Sequence, residues 1–181
     1  FINNDANCFA VGEKYFGLGG KYRNFVGITL GTGLGTGIII NNKLYSGLYS
    51  GAGEFSSVPY LDSNYEKLCS GKFFKSSAGI SGQTAAKRAH EGDPEILKLW
   101  SKYGENIGHF IHLIMFSVAP EAVIIGGSIS NSYEFFKDPM MRIVDKFPFT
   151  MVRNSFKVEC THTPDSAILG AGALYFDAVS S

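Results

Sequence analysis

Apolar residues recur at helical spacing through Ile96, Leu97, Trp100, Tyr103, Ile107, Phe110, Ile111 and Ile114, which predicts one long helix. Asp93-Pro94 is a strong start for it, with Asp93 as cap and Pro94 at the first helical position, and Pro120 ends it at about Val118. Ala6 to Tyr15 reads as an earlier helix ending near Gly17, and Ser81 to Glu91 as another. The β-rich runs Phe25 to Leu30 and Ile38 to Ile40 flank a glycine-threonine segment, predicting strand, glycine turn and strand. Asn41-Asn42 is a second turn signal in a hairpin of residues 25–45. Ala122 to Ile125 is a buried strand that Gly126-Gly127 turns, Asp138-Pro139 starts a further helix, Phe156 to Cys160 is a late strand, and Ser166 to Ala178 is a closing helix. Strands alternate with helices, without internal repeat, low-complexity tract or linker, so a single α/β domain is the economical reading.

Composition fits one compact unit. At 181 residues and 45% hydrophobic the chain can bury a core, and fifteen phenylalanines with nine tyrosines make that core aromatic. Sixteen basic residues balance sixteen acidic ones, and no basic stripe favours nucleic acid. No apolar run reaches membrane-spanning length and no signal peptide is visible. Cys8, Cys69 and Cys160 are far apart, with neither metal-ligand spacing nor an even count for disulfides, which suits a reducing cytoplasm.

Two segments carry candidate chemistry. Asp5, in Asn3-Asn4-Asp5-Ala6-Asn7, precedes the run Leu30-Gly31-Thr32-Gly33-Leu34-Gly35-Thr36-Gly37. Phosphoryl transfer to an alcohol needs a carboxylate that takes the hydroxyl proton and donors that hold phosphate oxygens; Asp5 can be the first and the glycine run the second. The run is not a dinucleotide fingerprint, because Thr36 stands where the third glycine would fall, and no Lys-Ser or Lys-Thr follows as a Walker loop requires. Phosphate would instead be held at a hairpin tip, with the Thr32 and Thr36 hydroxyls beside free N–H groups. A plain hairpin, in which glycine supplies positive φ, explains part of the same pattern. The second segment is Ser50-Gly51-Ala52-Gly53-Glu54, followed by Glu66. Two carboxylates that each accept two hydroxyl donors suit the vicinal diols of a sugar; the bland alternative is a pair of solvated surface acids.

Asn4-Asp5-Ala6-Asn7, the Gly31 to Gly37 loop, Gly51-Ala52-Gly53-Glu54, Glu66-Lys67-Leu68-Cys69-Ser70-Gly71 and Val123 to Ser130 together, in that order, resemble the ROK family of bacterial glucokinases, N-acetylhexosamine kinases and sugar-responsive repressors. The resemblance runs nearly end to end. It implies an actin-like ATPase (ribonuclease H-like) lobe, with a mixed sheet flanked by helices. It makes Asp5 the catalytic base, Asn4, Glu54 and Glu66 sugar ligands, the Gly31, Thr32, Gly33 and Gly35 segment a phosphate motif, and Gly126, Gly127 and Gly170 the adenosine side of an ATP site. The implied activity is ATP- and Mg²⁺-dependent phosphorylation of a hexose or N-acetylhexosamine. The alternatives are a sugar-sensing repressor using the same pocket, or a purely structural sugar-binding lobe.

The chain departs from the family pattern in two respects. Phe55-Ser56-Ser57 follows Glu54 where the family usually has Gly-His, and residues 58–65 contain no cysteine, so no zinc is expected and Val58, Pro59, Tyr60 and Leu61 should hold the loop by packing. No Asp-x-Gly-x-Thr segment is present, and the sequence opens at Phe1, so residues 1–181 are expected to be the C-terminal lobe of a longer, two-lobe protein and nearly or wholly inactive alone. His109 and His112 on the long helix lack a third metal ligand and read as packing or interface residues. Gly104 and Gly108 share that face and suit close approach of another helix, consistent with a homodimer, the family's common state.

Overall fold

The computed structural model describes residues 3–179. In chain order they form α1 (Asp5–Phe16), β1 (Phe25–Leu30), β2 (Leu34–Ile40), β3 (Lys43–Leu44), β4 (Pro59–Tyr60), β5 (Ser63–Asn64), α2 (Tyr65–Cys69), α3 (Lys72–Ala78), α4 (Gly82–His90), α5 (Pro94–Val118), β6 (Ala122–Gly126), α6 (Tyr133–Val144), α7 (Thr150–Ser155), β7 (Lys157–Cys160) and α8 (Ser166–Val179). Five strands make one sheet in the order β3-β2-β1-β6-β7. The β1–β2 and β2–β3 pairs are antiparallel, whereas β6 lies parallel to both β1 and β7.

Period-two alternation splits the apolar residues of the sheet between two helical layers. Val26, Ile28, Leu30, Val123 and Ile125 join a core with Trp100, Tyr103, Ile107, Phe110 and Ile114 of α5 and Phe136 of α6. Phe25, Ile39, Ala122 and Ile124 face the other way, against Phe9, Ala10 and Val11 of α1 and Ala173 and Leu174 of α8.

The layer formed by α1 is unusually close to the sheet, and glycine makes room for it. A Cβ at Gly37 would lie 2.4 Å from the Ala6 carbonyl oxygen and 2.7 Å from the Ala10 Cβ. One at Gly35 would lie 2.9 Å from the Ala6 Cβ, one at Gly27 3.0 Å from Phe9, and one at Gly126 2.6 Å from Phe9. The expected strand–turn–strand boundary therefore moves: Gly35, Thr36 and Gly37 belong to β2, and the turn is Gly31-Thr32-Gly33. Helix α1 is fixed at its other end by the buried carboxylate of Glu13, which accepts from the Leu18 amide and the Thr161 and Ser166 hydroxyls.

Three further expectations are revised. Helix α6 starts at Tyr133 and carries Pro139 inside it, rather than starting at Asp138-Pro139. Proline there lacks an N–H for the helix ladder, but its ring packs where Gly104 has no side chain: a Cβ at Gly104 would lie 2.7 Å from Pro139 Cγ, and one at Gly108 2.6 Å from Ile143 Cβ. The helix that uses the Gly104/Gly108 face is thus α6 of the same chain, so this pair is already covered and gives no support to a dimer contact. In the 58–65 segment, Pro59 and Leu61 point outward, and the packing comes from Val58 and from Tyr60, whose ring stacks on Tyr65 at 4.4 Å. The other predicted helices and strands stand within a residue or two of their expected ends.

Candidate functional site

Asn4 caps α1 by accepting the Asn7 amide at 2.7 Å, and its amide nitrogen donates to the Ser50 carbonyl at 3.4 Å. Asp5, the first residue of α1, is exposed at the positive end of the helix dipole, with Oδ1 accepting from the Ala6 amide at 2.9 Å. Because α1 sits low on β2, this carboxylate is delivered to the β1–β2 tip.

The tip is built from backbone bonds. The Gly31 amide donates to the Gly33 carbonyl at 3.0 Å, and the Gly31 carbonyl accepts from the Gly71 amide at 2.8 Å, tying the tip to the start of α3. The Gly31 amide is thus not a free donor. Nor is the Thr36 hydroxyl, which is buried and donates to the Gly53 carbonyl; Thr32 is the threonine left exposed. Gly31 and Gly33 have φ outside the left-handed region, and a Cβ on either would meet nothing closer than 3.6 Å. Neither turn geometry nor packing demands glycine there, in contrast to Gly35 and Gly37, and the absent side chains leave an open floor.

Gly53, at φ 87° and with Thr36 backbone 2.8 Å from where its Cβ would be, does require glycine. It seats Glu54 at the head of a short 3₁₀ turn of residues 55–57. Glu66 lies in the first turn of α2, which Asn64 caps by accepting the Lys67 amide at 2.9 Å. The Glu66 carboxylate accepts from the Lys72 ammonium at 2.5 Å.

These pieces surround one cavity of about 450 Å³, lined among others by Asn4, Asp5, Gly31, Thr32, Gly33, Gly35, Glu54, Glu66 and Gly127. Gly127 turns the chain after β6 at φ 91°, where a Cβ would strike the Leu30 carbonyl. Gly126 and Gly170 lie elsewhere: Gly126 is buried under Phe9, and a Cβ at Gly170 would sit 1.8 Å from the Cys8 carbonyl at the α1–α8 crossing. Both have a packing reason to be glycine. Thr29, Ser56 and Ser57 also line the cavity, and sequence reasoning missed them. The adjacency of Ser56-Ser57 to Glu54 was the available signal; Thr29 offered none beyond ending a strand.

Histidines play no part in this cavity. Burial and the neighbouring His112 push the His109 imidazole below its ordinary pKa, and the His112 ring contacts the Val144 carbonyl at 3.4 Å. Among the described residues no group of three or more His, Cys, Asp or Glu is placed to hold a metal ion. None of the described helices is long and apolar enough to cross a membrane.

Residues 1–178 match the ROK family. The chain belongs to that family. This ROK chain is 28% identical over 206 residues to a glucokinase of Thermotoga maritima, covering 96% of itself and 65% of that protein. It is 30% identical over 174 residues to the xylose repressor of Bacillus subtilis, covering 87% of itself and 45% of the repressor. Among solved structures, the ROK glucokinase of Streptomyces griseus in complex with glucose and AMPPNP superposes with a TM-score of 0.85 at 27% identity, over 96% of this chain and 67% of that one. The fold is that of the actin-like ATPases. The ROK segment thus spans roughly half to two-thirds of the relatives it matches.

Proposed function

We propose that this segment is the C-terminal, sugar-binding lobe of an ATP-dependent sugar kinase acting on a hexose or N-acetylhexosamine. The observation that carries the reading is the meeting in one cavity of Asp5, the open Gly31-Thr32-Gly33 tip and the carboxylates of Glu54 and Glu66. Glu54, Glu66 and Asn4 fix sugar hydroxyls. Asp5 takes the proton of the attacking hydroxyl, the primary one at carbon six, while that oxygen attacks the terminal phosphorus of ATP and ADP leaves. Thr32 and the tip backbone steady the transferring group, and Gly127 borders the same space. Mg²⁺ entering with ATP would offset the charge that develops on the transferring phosphoryl group; among the described residues no group of three or more His, Cys, Asp or Glu is placed to hold it. The glucokinase relatives support this reading, and a cytoplasmic location is where ATP and free sugar meet.

A sugar-sensing repressor is the second reading, favoured by the 30% identity to the xylose repressor. The same hydroxyl-accepting cavity would then bind sugar without turnover. Mg·ATP-dependent phosphorylation assays on the full-length native protein separate the two: product formation supports the kinase, and sugar binding with no product supports the sensor.

A further inference from the structure

A second cavity of about 430 Å³ adjoins the first, and Glu66 lines both. Their charges are opposite. The charged residues of the first are Asp5, Glu54 and Glu66, all acidic. In the second, Lys67, Lys72 and Lys75 stand against Glu66 alone, with Ser63, Asn64 and Ser76 completing the wall. Lys72 is engaged with Glu66, whereas Lys67 and Lys75 form no ion pair among the described residues. All three lysines project from the α2–α3 corner that the Gly71–Gly31 backbone bond holds against the tip.

A neutral sugar in the first cavity, with one hydroxyl at Asp5 and its other end at Glu66, offers nothing to two unpaired ammonium groups. A phosphate or carboxylate on that other end does, and the Lys72–Glu66 pair removes the repulsion that Glu66 would otherwise exert on it. We propose that the second cavity is an anion subsite, and that the preferred substrate is a sugar bearing a phosphate or carboxylate at the end remote from the hydroxyl facing Asp5. Lys67 and Lys75 bind the anion, and Lys72 is shared between it and Glu66. This rests on the kinase reading of the first cavity; the transfer step is unchanged, the sugar hydroxyl losing its proton to Asp5 as its oxygen bonds to phosphorus and ADP departs.

The test uses the full-length native protein and titration calorimetry with glucose, mannose and N-acetylglucosamine, their 1-phosphates and inorganic phosphate, together with phosphorylation assays on the same sugars. For at least one sugar the 1-phosphate should bind about tenfold more tightly than the parent, with an affinity that falls as salt is raised. In a Lys67→Met/Lys75→Met double variant, which keeps the apolar stems, that ratio should fall towards one. Parent sugars phosphorylated while their 1-phosphates bind no better, or a preference that survives in the double variant, would overturn the subsite and leave the kinase standing. Inorganic phosphate binding as tightly as the sugar phosphates would overturn it too, because the anion would then be held independently of a sugar. If no sugar were bound or phosphorylated, both readings would fall together.

Discussion

Asp5 and Glu54 illustrate how the roles proposed for single residues follow from where the chain puts them. Asp5 is exposed at a helix start, within the cavity, and its only described side-chain hydrogen bond is to the Ala6 amide, which leaves the second carboxylate oxygen available for a hydroxyl. Asp5→Asn should lower turnover by roughly 10²–10⁴ while sugar affinity changes by no more than about threefold, as read by steady-state kinetics beside calorimetry. Glu54→Gln keeps an acceptor oxygen but loses the charge, and should raise KM about tenfold with a smaller effect on kcat. These positions were legible in the sequence because each carboxylate stands in a distinctive local pattern. The division of labour inside the glycine run was not, because it depends on a helix far from it in the chain: Gly35 and Gly37 face α1, whereas a Cβ at Gly31 or Gly33 would meet nothing closer than 3.6 Å.

That division becomes a property of elements once α1 is considered as a unit. Its low seat on β2 both buries Ala6 and Ala10 and sets the height of Asp5 above the tip. Gly37→Ala should therefore destabilise the fold by about 1–3 kcal/mol in urea titrations and reduce turnover by more than the unfolded fraction accounts for. Gly33→Ala should leave stability within about 0.5 kcal/mol yet reduce turnover, since a methyl group there would meet nothing closer than the Glu66 carboxylate at 3.6 Å but would stand on the cavity wall. Helix starts were legible where a capping side chain stood alone, as at Asp93, which accepts from the Glu95 and Ile96 amides. Asp138-Pro139 misled because the same dipeptide signal is overridden by a tertiary fit, the Pro139 ring filling the space over Gly104.

At the scale of the molecule, the alternation of strands and helices made the α/β architecture readable, while the aromatic residues disclosed a core without its partners. Which rings stack, as Tyr60 does on Tyr65, is set by long-range folding. Burial pushes the phenols of Tyr60 and Tyr133 up to about 12, and burial with the Glu159 hydrogen bond does the same for Tyr22. The folded state therefore keeps protons that the unfolded chain begins to release near pH 10, so their stabilising contribution is complete below about pH 10 and is lost as pH rises towards 12. Denaturation midpoints should fall steeply across that interval, and Tyr60→Phe with Tyr133→Phe should flatten the decline.

The decisive measurement is Mg·ATP-dependent phosphorylation of glucose, mannose, N-acetylglucosamine and N-acetylmannosamine by the full-length native protein and its Asp5→Asn variant. Turnover of at least one sugar, falling at least about 100-fold in the variant while binding persists, is the expected result. Sugar binding without turnover in the native protein, or turnover indifferent to Asp5→Asn, would contradict a kinase built around this carboxylate.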